Sequence, residues 1–335
     1  MFFLHSPFMV LASMSLMLST IMALSSANWI LMWAALELNL LSFIPIMLQS
    51  WTHQETEGSV KYFLAQALGS SLLLMSSMAL WSSLFPLTNI VPLILLVSLL
   101  LKLGSVPCHF WYPSVMTSIS WSSCLILSTW QKLAPLSILA FISPMKSSSL
   151  MMSIAGINAL LGGMMGMNQT QVRSIMAYSS IGHIGWMISL IALHKPTMSI
   201  MYFLIYSMLI APIFISFNHF NIMTTKQLNK VSSKSFTAHL SLIILMMSLG
   251  GLPPLTGFMP KLMTLMVLVE SMKPVMFMLI LGSIMNLYFY LNITINILFS
   301  KIPVKYSLPV EQNSTKSILL MSAIMSLGLS PLIIL

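Results

Sequence analysis

The sequence predicts an all-α integral membrane protein. Three observations lead there: 58% of the 335 residues are hydrophobic, only 6% are charged, and the mean hydropathy is +0.96. So little polar surface cannot solvate a globular domain of this size. The apolar runs have the length that crosses a ~30 Å hydrocarbon core as helices, and they lack the period-2 alternation of barrel strands.

Apolar runs bounded by polar or proline-containing breaks define about eleven spans. They lie near 6–25, 28–48, 59–82, 88–118, 120–143, 149–167, 171–193, 196–220, 238–268, 273–299 and 316–334. The N-terminus shows no basic leader with a small-residue cleavage site, so the first span is expected to stay. The longest polar connection, near 221–237, holds Lys226, Lys230 and Lys234 and is expected to meet lipid headgroups or a partner.

The net charge of +9 does not point to nucleic acid, because the basic residues stand singly in loops with no interleaved aromatic stripe. They read as topology signals. Lys61, Arg173, Lys226, Lys230, Lys234, Lys301, Lys305 and Lys316 would share one face, and Lys146, Lys195 and Lys273 the other. The positive-inside rule then puts the N-terminus on the cytoplasmic or matrix side and, for an odd number of spans, the C-terminus opposite. Two cysteines, Cys108 and Cys124, are too few for an iron–sulfur cluster. No dinucleotide or ATP loop follows a strand pattern, so an energy source must lie outside the chain.

Two spans are interrupted. Gly104 and Pro107 break the fourth, and GGLPPLTGFMP, with Gly250, Gly251, Pro253 and Pro254, breaks the ninth. The breaks lie five spans apart. Because five is odd, a five-helix unit repeated in tandem must be inverted, and matched broken helices point to a transport site. This layout divides a single membrane domain, 1–335, into a first unit at 1–145, an inverted unit at 146–300 and a C-terminal loop and helix at 301–335. Prolines also kink membrane helices without functional consequence; two matched breaks, each beside a lysine, weigh against that here.

With no aspartate and five glutamates, buried acid–base chemistry has few candidates. Glu37, Lys102, Lys132 and Lys261 fall within spans, where each charge costs roughly 2.5–3.5 kcal/mol on insertion scales. A lysine can escape by snorkelling to the interface, whereas Glu37 is too short to do so. At ~7 Å and an effective dielectric of ~20, Glu37 and Lys102 would attract by about 2.4 kcal/mol, enough for the pairing to decide the lysine's protonation. The prolines are expected to free the carbonyls of Leu103, Leu249 and Gly250. With Gln66, Tyr178, Ser179, Ser180, His183, Thr256 and Asn286 these would support a chain of water, although each hydroxyl alone also fits ordinary helix–helix bonding. His183 is the strongest histidine relay candidate, since neutral imidazole both donates and accepts; a buried histidine is also commonly structural.

The segments WAALELNLLSFIP, EGSVKYFLAQALGS, KLGSVPCHFWYPSV, TWQKLAP, NQTQVRSIMAYSSIGHIGW and GGLPPLTGFMPKL resemble the antiporter-like subunits of respiratory NADH:quinone oxidoreductase, complex I, and within them the subunit 2 branch of the mitochondrial enzyme. The resemblance covers about residues 28 to 265. It implies proton translocation, with the glutamate at Glu37 pairing with Lys102 and the relay continuing through Lys132 and Lys261. It implies no cofactor in this chain, since NADH, FMN, iron–sulfur clusters and ubiquinone belong to partner subunits. It also implies other membrane-arm subunits and phospholipid as partners, not further copies of the chain, and a place in the mitochondrial inner membrane. Cys108 stands where the family usually has phenylalanine, and Ser114 where a glutamate commonly follows the proline. The second departure removes a candidate proton-entry carboxylate. Two other readings stay open: a stand-alone cation/proton antiporter of the same fold, and a structural scaffold whose charges only hold helices together.

Overall fold

The computed structural model describes residues 7–82, 90–142, 148–228, 236–299 and 313–328, all helices and connections apart from one isolated backbone bridge between Gln171 and Thr224. Eight of the described helical segments are long and apolar enough to cross a membrane, one of them, Trp121–Ile142, made of two consecutive helices. The expected positions of Lys146, Lys230, Lys234, Lys301 and Lys305 lie outside the described residues.

The chain divides into two compact units, Met1–Leu150 and Met151–Leu335. The first contains α1 (Pro7–Ser25), α2 (Trp29–Met47), α3 (His53–Ser82), α4 (Ile90–Leu103), α5 (Trp111–Ser118), α6 (Trp121–Ser128) and α7 (Trp130–Ile142). α3 starts before the apolar run does. Thr52 accepts from the Glu55 N–H at 3.3 Å, and the buried Glu55 carboxylate accepts from the Ser50 N–H at 2.8 Å. These bonds satisfy donors at a helix start, so polar residues 53–58 are helical too.

The expected span 88–118 is two helices, α4 and α5, and the span 120–143 is interrupted at Thr129. Thr129 donates its hydroxyl to the Leu125 carbonyl at 2.7 Å, and its own carbonyl takes the Lys132 N–H at 3.2 Å. Pro135, inside α7, has no N–H for Gln131 and its ring crowds that carbonyl, a common cause of a distorted turn.

The boundary falls in the first turn of α8 (Ser148–Met167), and the second unit holds the rest of α8 with α9 (Val172–Ala192), α10 (Pro196–Phe220), a 3-10 turn (Thr225–Leu228), α11 (Phe236–Gly250), α12 (Phe258–Ser271), α13 (Lys273–Leu298) and α14 (Asn313–Gly328). α9 is the centre of this unit, with 19 of its 21 residues buried. Small residues let helix backbones touch: a Cβ on Gly282 of α13 would lie 2.3 Å from the Ala159 carbonyl of α8. The start of the 221–237 connection is tied down, since Val172 N–H donates to Met223 O at 3.0 Å and Thr225 N–H to Thr170 O at 3.1 Å.

Serines are tolerated in these apolar helices because most hydroxyls bond a carbonyl three residues back, as Ser42 does to Asn39 and Ser98 to Leu95. That leaves outer faces rich in exposed Leu, Met, Ile and Phe, the surface a lipid or protein neighbour covers.

Candidate functional site

Both breaks use one hydrogen-bond pattern. After α4, Gly104 has φ +68°, its N–H donates to Leu101 O at 3.1 Å, and Ser105 N–H donates to Leu100 O at 3.0 Å. After α11, Gly251 has φ +81°, with Gly251 N–H on Ser248 O at 3.0 Å and Leu252 N–H on Met247 O at 3.4 Å. This is the Schellman ending, which needs a left-handed residue that glycine adopts without a Cβ penalty. The helices therefore stop at glycine, before Pro107, Pro253 and Pro254 are reached. The carbonyls are freed by helix termination, and the missing proline N–H groups are not the cause.

In the first unit those carbonyls are taken by neutral donors: Gln66 Nε2 binds the Lys102 carbonyl at 3.1 Å and Trp111 Nε1 binds the Leu101 carbonyl at 3.0 Å. Lys102, Lys132 and Gln66 line one cavity with Asn39, Tyr62, Tyr112 and Gln131. Its volume of about 20 Å³ has room for a water. Lys132 Nζ sits 4.8 Å from the centroid of the Tyr112 ring, close enough for a cation–π contact. Gln131 Nε2 donates to Asn39 Oδ1 at 2.9 Å, joining α7 to the helix that carries Glu37. No ion pair within contact distance joins Glu37 and Lys102 among the described residues. The Glu37 Oε2 is buried.

The second unit holds Lys261, whose ammonium donates to the Gly250 carbonyl at 2.8 Å. Lys261 is 5% exposed, Lys102 6% and Lys132 2%, so none of the three snorkels. Thr256 is buried at this break, and its N–H donates to Ser326 O of α14 at 3.1 Å.

His183 bonds through Nδ1 to the Tyr202 hydroxyl at 2.9 Å, and Tyr206 packs on its ring with centroids 4.9 Å apart. A cavity of about 10 Å³ joins these three to Ser248, Gly257 and Pro260 at the second break. Ser179 lies one turn from His183 on the same side of α9, its hydroxyl bonded to Met176 O at 2.9 Å. Tyr178 is half-buried and stands well round the helix from His183. His109 is buried in the first break against Phe110. Among the described residues no group of three His, Cys, Asp or Glu comes together to hold a metal.

Sequence reasoning missed Asn39, Tyr62, Trp111, Tyr112, Gln131 and Tyr202. Gln131 neighbours Lys132 in sequence and Asn39 follows Glu37 by two, which was the available signal; the aromatics look like ordinary apolar filling.

Comparison with known proteins gives this geometry a family. Residues 26–286 match the family model described as NADH:quinone oxidoreductase/Mrp antiporter, transmembrane. NADH-ubiquinone oxidoreductase chain 2 of Lumbricus terrestris is 58% identical over 333 residues, covering 99% of each chain. The chain belongs to the NADH-ubiquinone oxidoreductase chain 2 family. The family's member from Equus asinus is 36% identical over 316 residues, 92% of this chain and 91% of that one. Solved structures share the fold: a chain of respiratory complex I from Thermus thermophilus with bound aureothin superposes with a TM-score of 0.86 at 22% identity, covering 97% of this chain and 78% of the other. A chain of the Mrp complex from Dietzia sp. DQ12-45-1b gives 0.82 at 15% identity, covering 96% and 74%.

Proposed function

We propose that this chain is the antiporter-like chain 2 of complex I in the mitochondrial inner membrane, and that it translocates protons through Glu37, Lys102, Lys132 and Lys261. NADH-to-ubiquinone electron transfer, with FMN and the iron–sulfur clusters, takes place in other subunits, and this chain carries no redox site. The observation that carries the reading is the burial of three lysine ammoniums in apolar helices, at 6%, 2% and 5% exposure. Such charges are costly in a membrane and mark ion pathways by default. Gln66 supports Lys102 through its carbonyl, and His183, Ser179, Tyr178 and Thr256 serve the second unit as relay or water-chain groups.

The proposed layout has eleven spans: an inverted pair of five-helix units at 1–145 and 146–300, then a final helix in 301–335. The N-terminus faces the matrix and the C-terminus the intermembrane space. The chain sits as one copy among other membrane-arm subunits and phospholipid.

The test is Lys102→Met, which keeps the stem and removes the charge. In the assembled enzyme, proton output into vesicles should be abolished or sharply reduced with assembly intact. Normal output from an assembled Lys102→Met enzyme refutes the relay.

A further inference from the structure

We infer that Tyr202 is a positioning residue for His183, holding the imidazole so that Nε2 is the atom that exchanges a proton. The inference rests on the reading of His183 as a relay group. His183 and Tyr202 are 5% and 2% exposed, on α9 and α10, and the 2.9 Å contact from Nδ1 to the hydroxyl has two possible senses. If Tyr202 donates, Nε2 carries the hydrogen and Nδ1 is occupied as an acceptor, so the ring has no lone pair with which to take a proton. If Tyr202 accepts, Nδ1 keeps its hydrogen and Nε2 presents a lone pair. In that arrangement a proton adds at Nε2 to give imidazolium and leaves again from Nε2, while the Nδ1–H···Oη bond persists throughout. The tautomer of a histidine is set by the hydrogen bond its other nitrogen makes.

A relay histidine requires the accepting sense, because only that sense leaves the ring a lone pair at Nε2 while the bond to Tyr202 stays made. The cavity beside His183 is lined by Ser248, Gly257 and Pro260, so an exchanging Nε2 would communicate with the break that holds Lys261. Its volume of about 10 Å³ is close to the space one water needs. Tyr206, packed at 46° against the imidazole, limits ring rotation.

The experiment uses the assembled enzyme in vesicles. Tyr202→Phe keeps the aromatic ring and deletes only the hydroxyl. Proton output per assembled complex should fall roughly two- to ten-fold, the range one hydrogen bond supports. His183→Gln should fall at least as far, and the double variant no further than His183→Gln, because the hydroxyl acts through the ring. Tyr288→Phe, on the exposed face of α13, should pump normally. Normal output from Tyr202→Phe overturns the inference, as does a double variant in which the two losses multiply. Failure of Tyr202→Phe to assemble also overturns it, because a hydroxyl that only positions the ring is dispensable for the fold. A dead Lys102→Met beside a normal Tyr202→Phe sinks this inference alone; a normal Lys102→Met sinks the relay itself.

Discussion

The two adjacent glycines at the second break should respond in opposite ways to the same added methyl group. Gly251 has φ +81°, where a Cβ costs about 1–2 kcal/mol. That Cβ would also sit 2.7 Å from Lys261 Nζ and 3.0 Å from its Cδ. The lysine end is flexible and yields, but in yielding it leaves the Gly250 carbonyl, and a hydrogen bond from a charged donor contributes about 1.5–3 kcal/mol. Gly251→Ala should therefore cost roughly 2.5–5 kcal/mol in all and displace the Lys261 ammonium that the proposed relay uses. At Gly250 the nearest atoms to an added Cβ are Leu287 and Tyr290 carbons at 3.8 Å, ordinary contact distance, and the residue ends α11. Alanine there should be neutral or stabilise by about 0.5–1 kcal/mol through helix propensity. The assay is the amount of assembled enzyme on native gels after graded heating, together with proton output per assembled complex. Gly250→Ala should match the parent, and Gly251→Ala should lose both thermal resistance and output. If the two variants behave alike, the assignment of Lys261 to the Gly250 carbonyl is wrong.

Other outcomes follow from single contacts. Gly282→Ala would drive a methyl against the Ala159 carbonyl, which only separation of α8 and α13 can relieve. Overpacking of this kind costs about 1–3 kcal/mol, read as a lower yield of assembled complex with normal proton output per complex; unchanged heat resistance would count against the close-packing account. Lys261→Met should lower assembly as well as output, since it strips the Gly250 carbonyl of its donor. Lys102→Met should leave assembly intact, because its neighbouring carbonyls are held by Gln66 and Trp111. Native gels of the two variants side by side give the comparison, and equal assembly would contradict it.

How much of this was legible in the sequence depended on whether a residue contrasts with its surroundings. Lys102, Lys132 and Lys261 stand out because an ammonium in an apolar run is expensive, and Gly104 and Gly251 because a glycine followed within two or three residues by proline punctuates a helix. The interruption at Thr129 has no such mark: no glycine or proline stands there, and the crowding proline is six residues on. Partners distant in sequence were also hidden. Gln131 and Asn39 are 92 residues apart, and Gln66 and Lys102 are 36 apart, so no local period relates them. Tyr202 sits in an apolar helix where a packed tyrosine and a hydrogen-bonded one look the same, and only its distance to His183 tells them apart.

The shared ending of the two broken helices makes their difference informative. Each stops on a left-handed glycine with the same pair of backbone bonds, so each presents last-turn carbonyls that need donors. At the first break neutral side chains from α3 and α5 supply them, and the Lys102 ammonium lines the cavity it shares with Lys132. It can move there without undoing the helix end. At the second break the lysine is itself the donor, so any step that carries the Lys261 ammonium away must uncap Gly250. A deprotonated amine is a weaker donor than an ammonium, and loss of the proton from Lys261 would loosen that cap. Any loss of the Lys261 proton would therefore loosen the end of α11, whereas the carbonyls at the end of α4 keep their Gln66 and Trp111 donors whatever the charge on Lys102. One helix-ending motif, placed twice, thus ends on neutral side-chain donors at one break and on a lysine ammonium at the other.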